Sequence, residues 1–429
     1  MRILVIGGGG REHALAWKLS QHHPVVAIPG NPGIAQTART IAVDPLDVEM
    51  LATTAEREGV DLTIVGPELP LSRGIVDVFD HRGLPILGPT RAAARLESSK
   101  AFAKDFMARH GIPTARYRVC ADAETAYRVI ASAELGFPLV VKADGLAAGK
   151  GVVIAADRAA ADSAVAAAME EHRFGDAGAR VVLEECLSGP EVSFFALCDG
   201  HRAQPLGSAQ DHKRIFDDDR GPNTGGMGAF APSPLVDAPM QDRIMREVVN
   251  PVLAGMEHEG TPYRGFLYVG LMLTCDGPRV IEFNVRFGDP EAQVIIPLID
   301  GDWAPRLAAA AAGGLDPTPV PLRSEKMVGV VVASEGYPDS GRVGLPISGV
   351  EQASRAERVL VFHSGTHTPE RNSHTPSTGI ATAGGRVLTV VGGGSSYEEA
   401  IDRAYEGVSM IRFEGMQYRK DIGRKAIHV

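Results

Sequence analysis

The chain has 429 residues, a length that suggests roughly two to four domains rather than one. Apolar residues make up 44% and charged residues 22%, the balance of a soluble globular protein, and no apolar run approaches the roughly 18 residues of a membrane span. The net charge of −10 argues against a nucleic-acid partner, whose phosphate backbone needs a basic face, but leaves room for small anions held by lysines, backbone N–H groups or a metal ion.

The opening MRILVIGGGGREHA reads as a buried strand running into a glycine turn. It has neither the apolar core nor the cleavage site of a signal peptide, so a cytoplasmic location is expected. Over 1–98 strands at 2–6, 25–28, 61–65 and 84–88 alternate with helices at 11–20, 47–58 and near 72–81. Short apolar strands separated by helices predict a parallel sheet with helical crossovers. Its turns fall at 7–10, 29–33 and 66–70, the strand ends where open α/β sheets bind ligands. A helix over 99–110 closes at Gly111-Ile112-Pro113. Smaller units follow, with strands at 138–144, 152–156 and 180–187 and an alanine-rich helix near 157–171. After Gly189-Pro190 the strands run consecutively, at 191–200, 203–211, 265–277 and 278–286, with a helix at 240–259 between them. That pattern predicts an antiparallel sheet. The Pro- and Gly-rich segment 313–321 reads as a linker. Beyond 326 come short strands, a polar surface loop at 363–379, a hairpin-like turn at 384–386 and a helix near 397–411. Cys120, Cys186, Cys198 and Cys275 are scattered with no C-x-x-C pair, which suggests neither a zinc site nor a disulfide framework.

Five segments carry chemistry. The turn 7–10 can offer backbone N–H groups to a phosphate. It reads GGGGREH rather than G-x-G-x-x-G, and AIPGNPG follows the second strand where a dinucleotide site would need an acid, so a phosphorylated small molecule is favoured over NAD. In VVKADGLAAGKGV (140–152), Lys142 ends an apolar strand and Lys150 sits in a glycine-rich loop. A buried lysine needs a counter-charge, and a nucleotide phosphate competes there with a structural salt bridge. The motif is not a P-loop, because Gly151 follows Lys150. Glu184 and Glu185, then Glu191 after Gly189-Pro190, could set backbone groups against an adenine and a carboxylate against a ribose, although acids at strand ends are usually solvated. GPNTGGMGAFAP (221–232) is a long polar loop of the kind that is often functional. IEFNVRFGDPEAQ (281–293) is the strongest signal. Glu282 and Asn284 share one strand face, opposite Ile281, Phe283 and Val285, and hard oxygen ligands of this sort suit Mg²⁺. Arg286 continues that face and could steady a developing phosphate charge.

These motifs, with TIVGPELPL, SKAFAKDFMARHGIPTA, SAQDHKR, GFLYVGLM and the terminal RKDIG, resemble the glycinamide ribonucleotide synthetase family of ATP-grasp ligases, in the family's order and over almost the whole chain. The resemblance implies an α/β fold in three parts. They are a doubly wound parallel-sheet domain at 1–100, a two-lobed ATP-grasp α+β core at 101–325 with a mobile small lobe near 117–188, and a small α+β domain at 326–429. It further implies that Lys104 and Lys142 touch ATP phosphates, that Glu184, Glu185 and Leu187 border the adenine, and that Glu191 holds the ribose. Glu282 and Asn284 match ligands of Mg²⁺ or Mn²⁺. Gly9, Asn31, Gly33, Pro67 and Glu68 would receive 5-phosphoribosylamine, and Asp211, Arg286 and Asp289 would line the glycine site. The strand GFLYVGLML lacks the acid that many ATP-grasp enzymes place before Glu-x-Asn, so a second metal would need other ligands. The implied activity joins glycine to phosphoribosylamine through glycyl phosphate, in purine biosynthesis, by a monomer. Another ATP-grasp ligase, a bicarbonate-dependent carboxylase or a non-catalytic nucleotide-binding regulator are the alternatives.

Overall fold

Ile3, Leu4, Val5 and Ile6 of the strand Ile3–Gly7 are each at most 1% exposed, because alternate side chains enter two different cores. Ile3 and Val5 pack with Ala14, Leu15 and Leu19 of the helix Gly10–Ser20, whereas Leu4 and Ile6 pack with Leu51 and Ala55 of the helix Val48–Glu58 and with Phe79. In this computed structural model, which describes residues 1–147, 151–369 and 379–427, that strand is the centre of a five-stranded parallel sheet. Its neighbours are Val25–Pro29 on one side and Leu62–Val65 on the other. The chain therefore switches direction at this strand, and the turns after Gly7, Pro29 and Val65 meet at one edge, as the switch-point rule expects. Instead of one helix near 72–81 there are two, Glu68–Ser72 and Ile75–His81, broken at Gly74, whose left-handed φ of +86° favours a residue without Cβ.

The small lobe is a four-stranded antiparallel sheet of Tyr117–Cys120, Val181–Glu185, Leu139–Ala143 and Val152–Ala155, in that order. Helices Ala123–Ser132 and Arg158–Val165 cover its apolar face. The loop residue Lys150 lies outside the described residues, as does most of the polar loop, 370–378.

The consecutive strands are antiparallel as expected, and Gly277–Asn284, Arg264–Thr274, Glu191–Asp199 and Ala203–Asp211 lie side by side in that order. The sheet does not stop there. Gly228–Ala231 joins Ala203–Asp211 to Lys326–Ala333, and Arg386–Gly394 and Val359–His363 complete eight strands. The C-terminal segment is thus hydrogen-bonded into the central sheet. The turn at 384–386 is not a hairpin. Ile380–Thr382 belongs to a separate three-stranded sheet, and the turn carries the chain across to Arg386–Gly394. Ser334 takes up both glycine carbonyls there, its Oγ donating to Gly384 O at 2.9 Å and its N–H to Gly385 O at 2.8 Å. A bulge shifts the register between Gly270↔Glu282 and Leu271↔Val280, leaving Ile281 out of the ladder.

Candidate active site

Lys104, on the helix Lys100–Arg109, and Lys142, on Leu139–Ala143, both turn inward on Glu184. Lys104 Nζ is 2.7 Å from Glu184 Oε2 and Lys142 Nζ is 2.9 Å from Oε1, with all three residues buried. Lys104 also donates to Thr114 Oγ1 at 2.7 Å, and Lys142 to the bulged Ile281 carbonyl at 3.0 Å. Two ammonium groups share one carboxylate, so the cluster keeps a positive charge for an anion. Burial brings Lys104 down to about 8, with Glu184 opposing and Lys142 assisting. Glu184 is thus placed as the counter-ion of the lysines. Its neighbour alternates to the other face of the strand. There Glu185 accepts the Arg116 backbone N–H at 2.8 Å and Arg116 Nε at 2.6 Å. The strand ends at Glu185, and Leu187 follows half-buried, outside the sheet.

Glu282 and Asn284 share one face at the end of Gly277–Asn284, and among the described residues neither side chain makes a hydrogen bond. Burial opposes the Glu282 charge, but Lys213, Lys142, Lys100 and Arg286 around it hold the carboxyl below its ordinary range. Two side chains with hard oxygens and no hydrogen-bond partner among the described residues fit a divalent cation whose remaining ligands would be phosphate and water. Among the described residues no group of three or more His, Cys, Asp or Glu could hold a metal alone. Beside the pair, Glu191 is bound to Lys213 at 2.7 Å. Asp211 faces Lys213, Glu191 and Glu282, and burial raises its carboxyl despite the lysine. Glu291, held by Ser193 Oγ at 3.1 Å, is pushed up to about 7 by burial and then by Asp211.

The N-terminal glycine turn meets this site directly. The Gly9 N–H donates to Glu12 Oε2 at 2.6 Å, and a Cβ on Gly9 would lie 2.8 Å from that oxygen and 3.6 Å from Asp289 Oδ2. Burial opposes the Asp289 charge, but Arg386 and then Arg11 hold it ionised. Asn31 spends its whole amide on the backbone. Nδ2 donates to Gly8 O and His363 O at 2.9 and 2.8 Å, and Oδ1 accepts the Gly33 and Ile34 N–H groups at 2.9 Å. It therefore shapes the turn rather than offering a free amide. Gly33 packs against His13 and His363, where a Cβ would collide. Pro67 caps the helix Glu68–Ser72, and Glu68 Oε2 is 3.2 Å from Arg286 Nε. Arg286 Nη2 is 2.9 Å from Glu97 Oε1, so this guanidinium is already shared by two carboxylates. Its place is between Glu282 and the turn that carries Glu68.

Lys100, Lys213, Glu291, Arg11 and Arg386 belong to the site but were not singled out from sequence. Lys100 had a readable signal, four residues before Lys104 on one helix face, and Lys213 lies two residues after Asp211. Arg386 had none, being far along the chain.

Fold and site together define an ATP-grasp protein, and three family profiles agree. They are Phosphoribosylglycinamide synthetase, N domain, over residues 1–97; Phosphoribosylglycinamide synthetase, ATP-grasp (A) domain, over 98–292; and Phosphoribosylglycinamide synthetase, C domain, over 327–425. The chain belongs to the phosphoribosylglycinamide synthetase family. It is similar to a phosphoribosylamine–glycine ligase of Ralstonia nicotianae, 48% identical over 431 residues and all of both chains. The crystal structure of the Thermotoga maritima phosphoribosylamine–glycine ligase superposes with a TM-score of 0.85 at 33% identity, covering 98% of this chain and 100% of that one. A biotin carboxylase from Campylobacter jejuni shares the fold, with a TM-score of 0.73 at 15% identity over 100% of this chain and 95% of that one.

Proposed function

We propose that the chain ligates glycine to 5-phosphoribosylamine with ATP, giving glycinamide ribonucleotide, ADP and phosphate, a step of de novo purine synthesis. The observation that carries this reading is the junction of two sites. The Glu282–Asn284 pair, with Lys142 and Lys100 around it, lies on the strand that leads to Arg286 and Asp289, and these two meet the N-terminal turns at Glu68 and at Gly9. Family membership supports it.

In this reading Lys104 and Lys142 hold phosphates of ATP, Glu185 and Leu187 flank the adenine, and Glu191 the ribose. Glu282 and Asn284 hold Mg²⁺ or Mn²⁺, which would neutralise phosphate charge. Asp211, Arg286 and Asp289 orient glycine, and Gly9, Asn31, Gly33, Pro67 and Glu68 receive the amine. The glycine carboxylate attacks the γ-phosphorus and ADP leaves. The amine then attacks the acyl carbon, and phosphate leaves. Oxide is no leaving group from a carboxylate, which is why phosphorylation must come first. Such chemistry asks for positioning and charge neutralisation, and the cluster of lysines, arginines and carboxylates supplies those without a nucleophile–base triad.

The test uses glycine labelled with heavy oxygen in its carboxylate, with Mg-ATP and freshly generated phosphoribosylamine. One labelled oxygen should reach inorganic phosphate for each amide formed, without AMP. Label in AMP, or turnover that needs bicarbonate in place of glycine, would overturn the reading. We also place the enzyme in the cytoplasm as a monomer. Among the described residues no helix is long and apolar enough to cross a membrane. Sedimentation at one chain mass checks the monomer.

A further inference from the structure

Arg386 lies on a strand of the C-terminal segment, yet its guanidinium ends among the ATP-grasp loops. Nη1 donates to Gly225 O at 2.6 Å and to Asp289 O at 2.6 Å, and stands 3.4 Å from Asp289 Oδ1. Tyr337, also C-terminal, holds the other end of the same glycine, whose N–H donates to Tyr337 Oη at 2.8 Å. Both backbone polar groups of Gly225 are therefore held by side chains of the C-terminal segment. The fit is close. A Cβ on Gly225 would lie 3.2 Å from Arg386 Cζ and 3.2 Å from Tyr337 Oη, and one on Gly226, at φ +109°, would lie 2.5 Å from Pro290 Cδ. The GPNTGGMG loop is thus seated against Asp289-Pro290, and Asp289 in turn faces Gly9.

A glycine-rich loop has little conformational preference of its own and must be held from outside. Hydrogen bonds from a guanidinium are among the stronger ones available for that. An acyl phosphate is open to water until a closed site excludes it. We propose that Arg386 and Tyr337 are positioning residues of the ligation: they seat the 221–228 loop and Asp289 over the acyl phosphate, so that the amine rather than water reaches it. The inference rests on the ligase reading above and adds a contribution of the C-terminal segment to its second step.

The experiment compares the wild-type chain with Arg386→Met, Arg386→Lys, Tyr337→Phe and the Arg386→Met/Tyr337→Phe double variant. It reads ADP released per amide formed, kcat/KM for the amine, KM for ATP, and hydrogen exchange of 221–231 in the substrate-free protein. Wild type should release one ADP per amide. Arg386→Met should release several, lower kcat/KM for the amine by about 10²-fold as a displaced loop would, and leave the KM for ATP nearly unchanged. Arg386→Lys should restore part of the coupling. The double variant should lose less than the product of the single losses, because both side chains hold one residue. Loop exchange should quicken in Arg386→Met. Tight one-to-one coupling in Arg386→Met together with wild-type loop exchange would overturn the proposal, as would an equal loss in ATP and amine use. A wild-type chain that forms no amide would defeat the ligase reading instead, and the exchange comparison would still decide whether these residues hold the loop.

Discussion

Glu184→Gln tests whether the buried lysines depend on a single protein carboxylate. The substitution keeps size, shape and one oxygen, but removes the negative charge of the carboxylate whose oxygens lie 2.7 and 2.9 Å from Lys104 and Lys142. Breaking a buried ion pair from one side costs about 3–5 kcal/mol. The pH dependence adds a signature. Lys104 already sits near 8, mainly from burial, with Glu184 holding it up. Between a lysine's lowered folded pKa and its unfolded value the unfolded chain binds more protons, so stability rises with pH across that window. In Glu184→Gln the folded pKa drops further, and the rise should begin below pH 8. If triphosphate oxygens bind these lysines, Mg-ATP replaces the missing negative charge and should stabilise the variant more than the wild type. Urea denaturation from pH 6.5 to 9.5, with and without Mg-ATP, measures all three effects. A cost below about 1 kcal/mol at pH 7 with an unchanged pH slope would refute the counter-ion argument. Lost ATP binding at unchanged stability would return Glu184 to the adenine.

Glu282→Ala should lower ligation by about 10³-fold or more with circular dichroism unchanged, since the proposed metal site loses its charged ligand; near-normal turnover of the folded variant would sink the metal assignment. Gly9→Val should impair amine use more than ATP binding, because its Cβ would lie 2.8 Å from Glu12 Oε2 in the N-terminal turn and must displace that side chain; titration of both ligands decides, and an equal loss of ATP affinity would reverse the map. His212 is buried beside Lys425, Arg419, Asp421 and Asp219, and its pKa falls to about 3, chiefly through burial. The unfolded chain therefore binds the extra proton between pH 6.5 and 3, so stability is lost as pH falls through that window, by about 1.4 kcal/mol per unit. His212→Gln should flatten the acid limb of stability by that slope, and an unchanged limb in denaturant midpoints would refute it.

Periodicity was enough for the alternating strands of 1–98 and for the antiparallel run after Gly189, because each depends on short-range patterns of buried and exposed side chains. The pairing of Glu282 with Asn284 was legible for the same reason, since two residues apart on a strand must share a face. Partners across the chain were not. Glu184 read as a strand-end acid with a place near the nucleotide, yet the fold brings Lys104 from a helix and Lys142 from another strand onto it. Arg286 read as free for phosphate, yet Glu68 and Glu97 approach from the N-terminal half. The hairpin at 384–386 failed because glycines mark a turn without saying which sheet comes next. Local pattern determines elements and faces through rules of period and capping. Which charge neutralises which, and that Arg386 reaches Gly225 and Asp289, depend on how distant segments pack, and only the tertiary structure decides that.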